Sequence, residues 1–322
     1  MEPRENPDLF GHGAAEAVIA GAIAGGRLHH AWLVTGKEGI GKATLAYRFA
    51  RLLLTSAGDA NDPANPVFRR VARATHADLL TVEREWDEKR KRQRTEIVVD
   101  DARDIAGFLR LTPAEGGWRV VIVDGAEHLN RNAANALLKV LEEPPQRAVL
   151  LLTCAAPGRL LPTIRSRCRR LPLPPLGPAD MGLALAKALP DQDTSSLLPI
   201  AGGSPGRAVL LAEAGGVAIA GLVDEVFRAV PKLPVTRAYE VADRVGRAEG
   251  GYSTFMDLLR DRLGAAVREA ARGKEDPLMR MRPLADWGEV WHALGRLQDE
   301  TERSNLDKRH AIVAGLDLLN AI

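Results

Sequence analysis

A glycine-rich segment followed by a lysine constrains the fold of this chain more than any other feature. Residues 32–35 are apolar, residues 36–44 read Gly-Lys-Glu-Gly-Ile-Gly-Lys-Ala-Thr, and a helical pattern follows. Glycines permit a tight loop whose backbone N–H groups surround phosphate oxygens, and the lysine reaches the terminal phosphates. The start of the following helix adds a favourable dipole. The order of strand, loop, lysine and helix therefore predicts a phosphate-binding loop in an α/β nucleotide-binding fold.

The first 175 residues alternate short apolar runs with helical patterns, which is typical of a parallel sheet covered by helices. The runs lack polar alternation, as expected for strands buried on both faces. We predict strands at residues 32–35, 79–82, 120–123 and 149–153, and a fifth strand at 171–173. Prolines in the fifth run place it at the end of the sheet.

The pattern changes near residue 175, where a proline-rich stretch marks a linker. Residues 176–216 contain short helices, and residues 217–322 read as helical throughout. In the latter part, Ser253 is a predicted N-cap of a helix with one apolar stripe. The sequence therefore predicts three domains: an α/β nucleotide-binding domain over residues 1–175, a small helical domain over 176–216 and an all-helical domain over 217–322.

Composition excludes several classes of protein. The chain has 322 residues, of which 46% are hydrophobic and 27% charged, the balance of a soluble globular protein. Two cysteines, Cys154 and Cys168, exclude a disulfide framework and a four-cysteine zinc site. The charged N-terminus lacks a signal core, and no run approaches about 18 apolar residues, so we expect a cytoplasmic chain without a membrane span. The net charge of +2 means that any nucleic-acid affinity must come from a local patch.

Two positions near the phosphate loop lack groups that ATP hydrolysis needs. Ala43 follows the lysine where a hydroxyl would ligate magnesium, and a methyl group cannot coordinate this cation. The run at 120–123 ends in Asp124, a carboxylate placed to hold the metal through water, but the next residue is Gly125, which offers no base. The sequence predicts a degenerate nucleotide site that binds ATP without efficient hydrolysis, formed by Gly36, Gly39, Gly41, Lys42, Thr44 and Asp124.

Two alternatives stay open at this point. In the first, the chain hydrolyses ATP itself, with the Thr44 hydroxyl and the Glu127 carboxylate compensating for the missing groups. Thr44 lies one helical position too far along, a rotation of about 100°. In the second, the chain is a solitary nucleotide-dependent switch or DNA-repair module that needs no partners.

Several segments together match one known family. Residues 135–145 read Asn-Ala-Leu-Leu-Lys-Val-Leu-Glu-Glu-Pro-Pro, residues 162–168 read Pro-Thr-Ile-Arg-Ser-Arg-Cys, and residues 6–12 precede a second N-terminal match at 27–32. Asn305-Leu-Asp307 fits the start of a last helix. In this order the segments resemble the bacterial clamp-loader ATPases, which are AAA+ proteins. The likeness covers most of residues 6–175.

The resemblance implies a fold, partners and cofactors. The fold is an AAA+ P-loop-type domain followed by a helical lid and a helical collar that joins five subunits in a ring. Ala43 and Gly125 are similar to the degraded nucleotide sites of the family's delta-prime chains. The implied partners are clamp-loader delta and gamma or tau subunits, the sliding clamp, and primed DNA through the complex, with no membrane. Zinc is not implied, because residues 53–78, which occupy the place of the family's zinc module, contain no cysteine.

The resemblance also gives Arg167 a role. By resemblance, the arginine of the Ser-Arg-Cys motif projects into the ATP site of the adjacent subunit as an arginine finger in trans. A guanidinium is planar, always charged and able to meet two phosphate oxygens at once. Such fingers are worth about 10³ to 10⁵ in rate in other NTPases. From the residues alone, a surface arginine in an arginine-rich loop is the preferred interpretation.

Two further positions are implied as nucleotide sensors. Thr153 lies near the polar sensor position of the fourth strand, although ungapped matching puts Cys154 or Ala155 there. The lid arginine of active family members falls at Gly206, with Arg207 one residue away. Both departures favour weak or absent hydrolysis by this chain.

A basic cluster is the candidate DNA contact. Residues 89–94 read Lys-Arg-Lys-Arg-Gln-Arg, enough for several phosphate contacts. Acidic residues at 83–88 precede it, so a self-paired solvated loop is the open alternative. The predicted contacts are Lys89, Arg90, Lys91, Arg92 and Arg94.

Overall fold

The chain divides into two compact units. The computed structural model describes residues 2–88, 92–115 and 117–320. The first unit comprises Met1–Lys187 together with Gly203–Arg207, and the second comprises Ala188–Gly202 together with Ala208–Ile322. The three-domain division predicted from the sequence stays a prediction.

A parallel sheet lies at the centre of the first unit. The strands of this unit are Ala31–Thr35 (β1), Leu79–Val82 (β2), Trp86–Asp87 (β3), Arg92–Gln93 (β4), Arg119–Val123 (β5), Ala148–Cys154 (β6) and Arg169–Pro172 (β7). Five of them form the sheet in the order β2-β5-β6-β1-β7, and every neighbouring pair is parallel. The remaining two, β3 and β4, pair antiparallel. The predicted α/β fold class is therefore confirmed.

Helices cover both faces of this sheet. They are Gly13–Ala24 (α1), Lys42–Leu54 (α2), Pro66–Ala72 (α3), Val99–Arg110 (α4), Arg131–Glu142 (α5), Pro162–Arg167 (α6) and Pro178–Ala188 (α7). On one face, Leu33 and Leu150 belong to the core that α4 and α5 complete. On the other face, the rings of Trp32 and Phe49 in α2 meet at 5.4 Å.

The five sheet strands match the five predicted runs within a few residues. The central strands β5 and β6 are buried along their whole length, which explains why their sequences show no polar alternation. The proline-containing run forms β7 at the edge of the sheet. Proline lacks the N–H that a central strand needs, so an edge strand accommodates it best.

A buried arginine fixes the N-terminal segment to the phosphate-loop helix. Arg51 is fully buried in α2, where its guanidinium donates to the carbonyl oxygens of Arg4 at 3.1 Å and Asn6 at 3.0 Å. It also lies 4.5 Å from the ring centroid of Phe68. Burial, together with the nearby charge of Arg48, lowers the pKa of Arg51 to about 10. The sequence did not indicate this contact, because a helical arginine usually faces solvent.

The second unit is helical. Its helices are Leu198–Ala201 (α8), Pro205–Glu213 (α9, whose first residues belong to the first unit), Gly216–Ala229 (α10), Val235–Val245 (α11), Gly251–Ala271 (α12), Leu284–Ser304 (α13) and Lys308–Asn320 (α14). The predicted apolar stripe of α12 is buried at Phe255, Leu259 and Leu263. The predicted N-cap at Ser253 is wrong, because the N-cap is Gly250, three residues earlier and in a left-handed conformation (φ 67°), so that Ser253 lies inside the helix. Across the described residues, no helix combines the length and apolar character that crossing a bilayer requires.

Candidate functional site

The structure brings the predicted nucleotide-binding residues to one edge of the sheet. The phosphate loop follows β1, Asp124 follows β5, and Thr153 lies near the end of β6. These three strands are adjacent and parallel, so their carboxyl ends meet at one edge. Open α/β sheets bind ligands at this edge. Predicted residues that are far apart in sequence therefore share one site.

Two glycines give the phosphate loop its shape. Gly39 (φ 71°) and Gly41 (φ 105°) are both in the left-handed region, which side chains with a Cβ rarely adopt. Helix α2 begins immediately afterwards, at Lys42. At the start of the loop, the Gly36 N–H donates to the carbonyl oxygen of Cys154 at 3.3 Å. The loop is therefore anchored to β6 and turns sharply into the helix, as its sequence predicts.

Lys42 is half-buried at the start of α2. Its Nζ donates to the carbonyl oxygen of Lys37 at 2.8 Å, inside the same loop. Burial lowers the pKa of Lys42, and the neighbouring carboxylates of Glu127 and Asp124 oppose this effect. The lysine is thus surrounded by acidic groups of its own chain.

Thr153 holds the carboxylate that ends β5. Its hydroxyl donates to Asp124 Oδ1 and accepts a hydrogen bond from the Gly125 N–H at 2.9 Å. Thr153 is fully buried, so these contacts are shielded from water. The structure therefore places the predicted sensor residue Thr153 in direct contact with Asp124 and Gly125, the two residues of the acidic motif.

The backbone conformation at Gly125 disfavours a side chain. Its φ is 74°, and a Cβ added there would lie 2.9 Å from Cδ2 of His128. A glutamate at this position would therefore meet both backbone strain and a steric clash. The local conformation therefore agrees with the absence of a catalytic carboxylate that the sequence indicates at this position.

Glu127, the alternative base, is held at the end of β6 by one oxygen of its carboxylate. Its Oε1 accepts from the Ala155 N–H at 2.8 Å, whereas its Oε2 is buried and makes no hydrogen bond with the described residues. Burial and the Glu127 charge raise the pKa of Cys154 to about 12. Thr44, the other compensating residue, is buried within α2 with 8% of its surface exposed.

A segment from beyond the linker closes over the phosphate loop. Ser204 Oγ donates to the carbonyl oxygen of Glu38 at 2.6 Å, and the Gly206 N–H donates to the carbonyl oxygen of Gly39 at 2.9 Å. A Cβ on Gly206 would lie 2.8 Å from the Cα of Gly39. A side chain therefore does not fit at the position where the lid arginine was expected, and Arg207 places its backbone N–H beside Gly39.

Arg167 lies at the amino end of the parallel strands, whereas the phosphate loop lies at their carboxyl end. It ends α6, two residues before β7 begins at Arg169. In the parallel pairing of β1 with β7, Trp32 aligns with Arg169 and Thr35 aligns with Pro172. The phosphate loop begins after Thr35, so the strand length of about 10 Å separates the two ends. Arg167 is therefore not part of its own chain's phosphate site.

The guanidinium of Arg167 makes polar contacts with two residues in the part of the chain that the structure describes. Its Nη1 donates to the carbonyl oxygen of Thr163 at 3.0 Å, and its Nη2 lies 2.8 Å from Glu142 Oε1. About a third of the side chain (35%) is exposed. The following residue, Cys168, is buried, and burial raises its pKa to about 12. Sequence reasoning found Arg167 and missed Glu142, because α5 and α6 are brought together only by the fold.

The predicted DNA contacts are only partly described. Lys89, Arg90 and Lys91 lie outside the described residues, and of Arg92 only the backbone in β4 is described. Arg94 pairs with Glu85, with Nη1 and Oε2 at 2.7 Å. This ion pair matches the alternative of a self-paired loop for that one residue, and the DNA contact stays a prediction.

The described residues also bear on metal binding. Within these ranges, no three His, Cys, Asp or Glu side chains converge as a metal site. The expectation that zinc is not inherited stays a prediction.

Comparisons with known proteins give a consistent family. The family profile described as "DNA polymerase III, delta subunit" matches residues 11–177. The chain is 43% identical over 188 residues to the DNA polymerase III subunit delta' of Pseudomonas aeruginosa, covering 56% of each chain. It is 32% identical over 168 residues to the DNA polymerase III subunit tau of Escherichia coli, covering 52% of this chain and 25% of that one. The chain therefore spans about half or less of the length of these curated relatives.

Among solved structures, one similar chain is a DNA polymerase III gamma subunit-related protein of Thermotoga maritima. The identity is 19%, the TM-score is 0.41, and the match covers 95% of this chain and 99% of that one. The RuvB Holliday junction branch migration motor of the same organism matches at 18% identity and a TM-score of 0.42, covering 70% of this chain and 68% of that one.

Proposed function

The chain belongs to the DNA polymerase III delta subunit family, and from this premise we propose that it is a delta-prime-type subunit of the bacterial clamp loader. In this role it assembles with delta and gamma or tau subunits in the cytoplasm and loads the sliding clamp on primed DNA. It is a largely non-hydrolysing member of the complex, and Arg167 completes the ATP site of a neighbouring subunit. The 43% identity to a delta' subunit, against 32% to a tau subunit, supports this assignment.

The conformation of Gly125 carries the loss of hydrolysis. ATPases of this class place a glutamate after the aspartate of the acidic motif, where it activates the attacking water. The left-handed backbone of Gly125 and its distance of 2.9 Å from Cβ to the His128 ring disfavour any side chain there. The Glu127 carboxylate is already engaged at the end of β6, where its Oε1 accepts from the Ala155 N–H, and this disfavours it as a substitute base.

The phosphate loop itself fits a nucleotide, whereas the metal position does not. The loop between Gly36 and Gly41 and the half-buried Lys42 form the cradle that would hold the phosphates of ATP, with Asp124 beside it. When bound, ATP would act only as a ligand that orders the loop. Ala43 gives magnesium no oxygen, and burial lowers the pKa of Lys42, which disfavours the positive charge that the phosphates would meet. This supports binding without efficient turnover.

The position of Arg167 supports a role in trans. The side chain lies at the amino edge of the sheet and is partly exposed, whereas its own phosphate loop lies at the carboxyl edge. An arginine in this place meets the phosphates of another chain more readily than those of its own. Its planar guanidinium then stabilises the charge that develops on the transferred phosphoryl group.

The second unit supports a role in assembly. Its helices over residues 217–320 fit the proposed collar that joins the subunits in a ring. The small helical lid over 176–216, the sensor roles of Thr153 and Arg207, and the DNA contact of residues 89–94 belong to the same proposal. Each of them is suggested by the resemblance to the family and stays a proposal for this chain.

The test of the proposed function is Arg167→Ala in a complex reconstituted with delta, gamma or tau, the clamp and primed DNA. We expect the complex to assemble and its DNA-stimulated ATPase at the adjacent site to fall by about 10³-fold, because the positive charge is lost from the transition state. Arg167→Lys should restore little, because an ammonium lacks the planar fork. Arg170→Ala, an exposed arginine of β7, is the matched control. An unchanged ATPase in the assembled Arg167→Ala complex would remove the proposed role.

A further inference from the structure

An ion pair joins the ends of two helices beside Arg167. Glu142 is the last residue of α5, and Arg167 is the last residue of α6. Glu142 Oε1 lies 2.8 Å from Arg167 Nη2. The acidic side chain therefore lies on one side of the guanidinium, and the carbonyl oxygen of Thr163 lies on the other, 3.0 Å from Nη1.

The two contacts orient the guanidinium and occupy only part of its N–H donors. A guanidinium carries five N–H donors in a rigid fork. Among the described residues, Thr163 uses one donor on Nη1 and Glu142 uses one on Nη2, so three N–H donors remain for a further acceptor. Because the fork is planar, fixing both terminal nitrogens also fixes the direction in which the others point.

This ion pair contributes little to the stability of the fold. Glu142 is 50% exposed and Arg167 is 35% exposed. Exposed pairs contribute little to the free energy of unfolding, because water screens the charges and two long side chains lose rotamer freedom. The same loss of freedom is useful when an arginine must be held ready for a partner's phosphates, since an unrestrained arginine carries considerable rotamer entropy.

We propose that Glu142 is a positioning residue for Arg167, holding its guanidinium in the direction from which it meets a neighbouring subunit's nucleotide. This inference rests on the proposed function of Arg167 and adds a residue to it. Glu142 touches no phosphate in this proposal and acts only through the arginine. Glu143, the next residue, is a second glutamate and provides a control of the same charge and chemistry.

The experiment compares Glu142→Gln and Glu143→Gln in the reconstituted complex. We expect Glu142→Gln to lower the kcat of the DNA-stimulated ATPase by about 2- to 5-fold, the range that an exposed ion pair supplies. The KM for ATP should stay the same if the finger acts on the transition state rather than on ground-state binding. Glu142→Asp should recover part of the loss, and Glu143→Gln should behave as the unmodified protein.

A double variant separates positioning from other effects. If Glu142 acts through Arg167, adding Glu142→Gln to Arg167→Ala should cause no further loss of kcat, because the positioned group is already absent. Losses that multiply independently would overturn the inference. So would a Glu142→Gln complex with unchanged kcat while Arg167→Ala loses activity, and in that case the proposed function would stand. An Arg167→Ala complex with full activity would overturn both.

Discussion

At the scale of single residues, one hydroxyl organises the acidic end of the site. Thr153 donates to Asp124 and accepts from the Gly125 N–H in a fully buried place. Buried polar groups are costly to leave without partners, so the three residues depend on one another. The sequence indicated Thr153 as a sensor, but it could not show that the hydroxyl contacts both residues of the motif.

Replacing Thr153 tests this dependence. Thr153→Val keeps the shape and removes the hydroxyl, which leaves the Gly125 N–H and the Asp124 carboxylate without their buried partner. We expect the free energy of unfolding to fall by about 1–3 kcal/mol. Urea denaturation followed by tryptophan fluorescence measures it, and Thr95→Val at an exposed position is the control. Equal urea midpoints for the two variants would mean that the hydrogen bonds do not hold the site.

At the scale of elements, the phosphate loop is closed by backbone rather than by a side chain. The Gly206 N–H and the Ser204 hydroxyl reach two successive carbonyl oxygens of the loop. Gly39 and Gly206 approach so closely that neither has room for a Cβ. A lid arginine at residue 206 is therefore replaced by a contact between two glycine backbones.

Because of this close contact, we expect the effect of a glycine-to-alanine substitution on stability to depend strongly on its position. Gly39→Ala would force a left-handed alanine (φ 71°) whose Cβ lies 2.6 Å from the Arg207 nitrogen. We expect a loss of about 2 kcal/mol or more in the free energy of unfolding. Gly182→Ala is the matched control, because that glycine lies in α7 with nothing within 4 Å of its Cβ position. It should leave stability unchanged or raise it by up to about 1 kcal/mol. Gly39→Ala as stable as Gly182→Ala in urea would disprove the close approach.

Elements differ in how well the sequence predicts them. The five sheet strands were predictable because burial on both faces demands unbroken apolar runs, as in β5 and β6. The start of α12 was not, because a good N-cap residue at Ser253 lost to a helix that begins at Gly251. Helix ends depend on the packing of the whole helix, which local capping preferences do not contain.

At the scale of the whole molecule, the chain combines a phosphate loop that lacks hydrolytic groups with an arginine at the far edge of the same sheet. The proposed function accounts for both features, since a subunit that lends its arginine to a neighbour's site does not need to hydrolyse ATP itself. This arrangement favours the proposal over the alternative of a self-sufficient ATPase.

The isolated chain therefore should not turn over ATP. We expect the purified protein to show no magnesium-dependent hydrolysis above that of its Lys42→Ala variant, since Ala43 and Gly125 supply neither metal ligand nor base. A phosphate-release assay measures the difference. Mixing the chain with delta and gamma or tau should produce a larger species in size-exclusion chromatography. Hydrolysis that Lys42→Ala abolishes would instead favour the gamma- or tau-like alternative, and a chain that stays alone would favour the solitary one.

The sheet, the phosphate loop, and the lack of a hydroxyl at residue 43 and of a carboxylate at residue 125 could all be predicted from the sequence, because they follow from residue type and from neighbours along the chain. The contacts between distant residues could be seen only in the folded chain: Thr153 with Asp124, Gly206 with Gly39, and Glu142 with Arg167. The physical reason is that local pattern fixes which face of an element is buried, whereas side-chain partners depend on how elements pack. The parallel pairing of β1 with β7 then places Arg167 at the amino end of the strands and the phosphate loop at their carboxyl end.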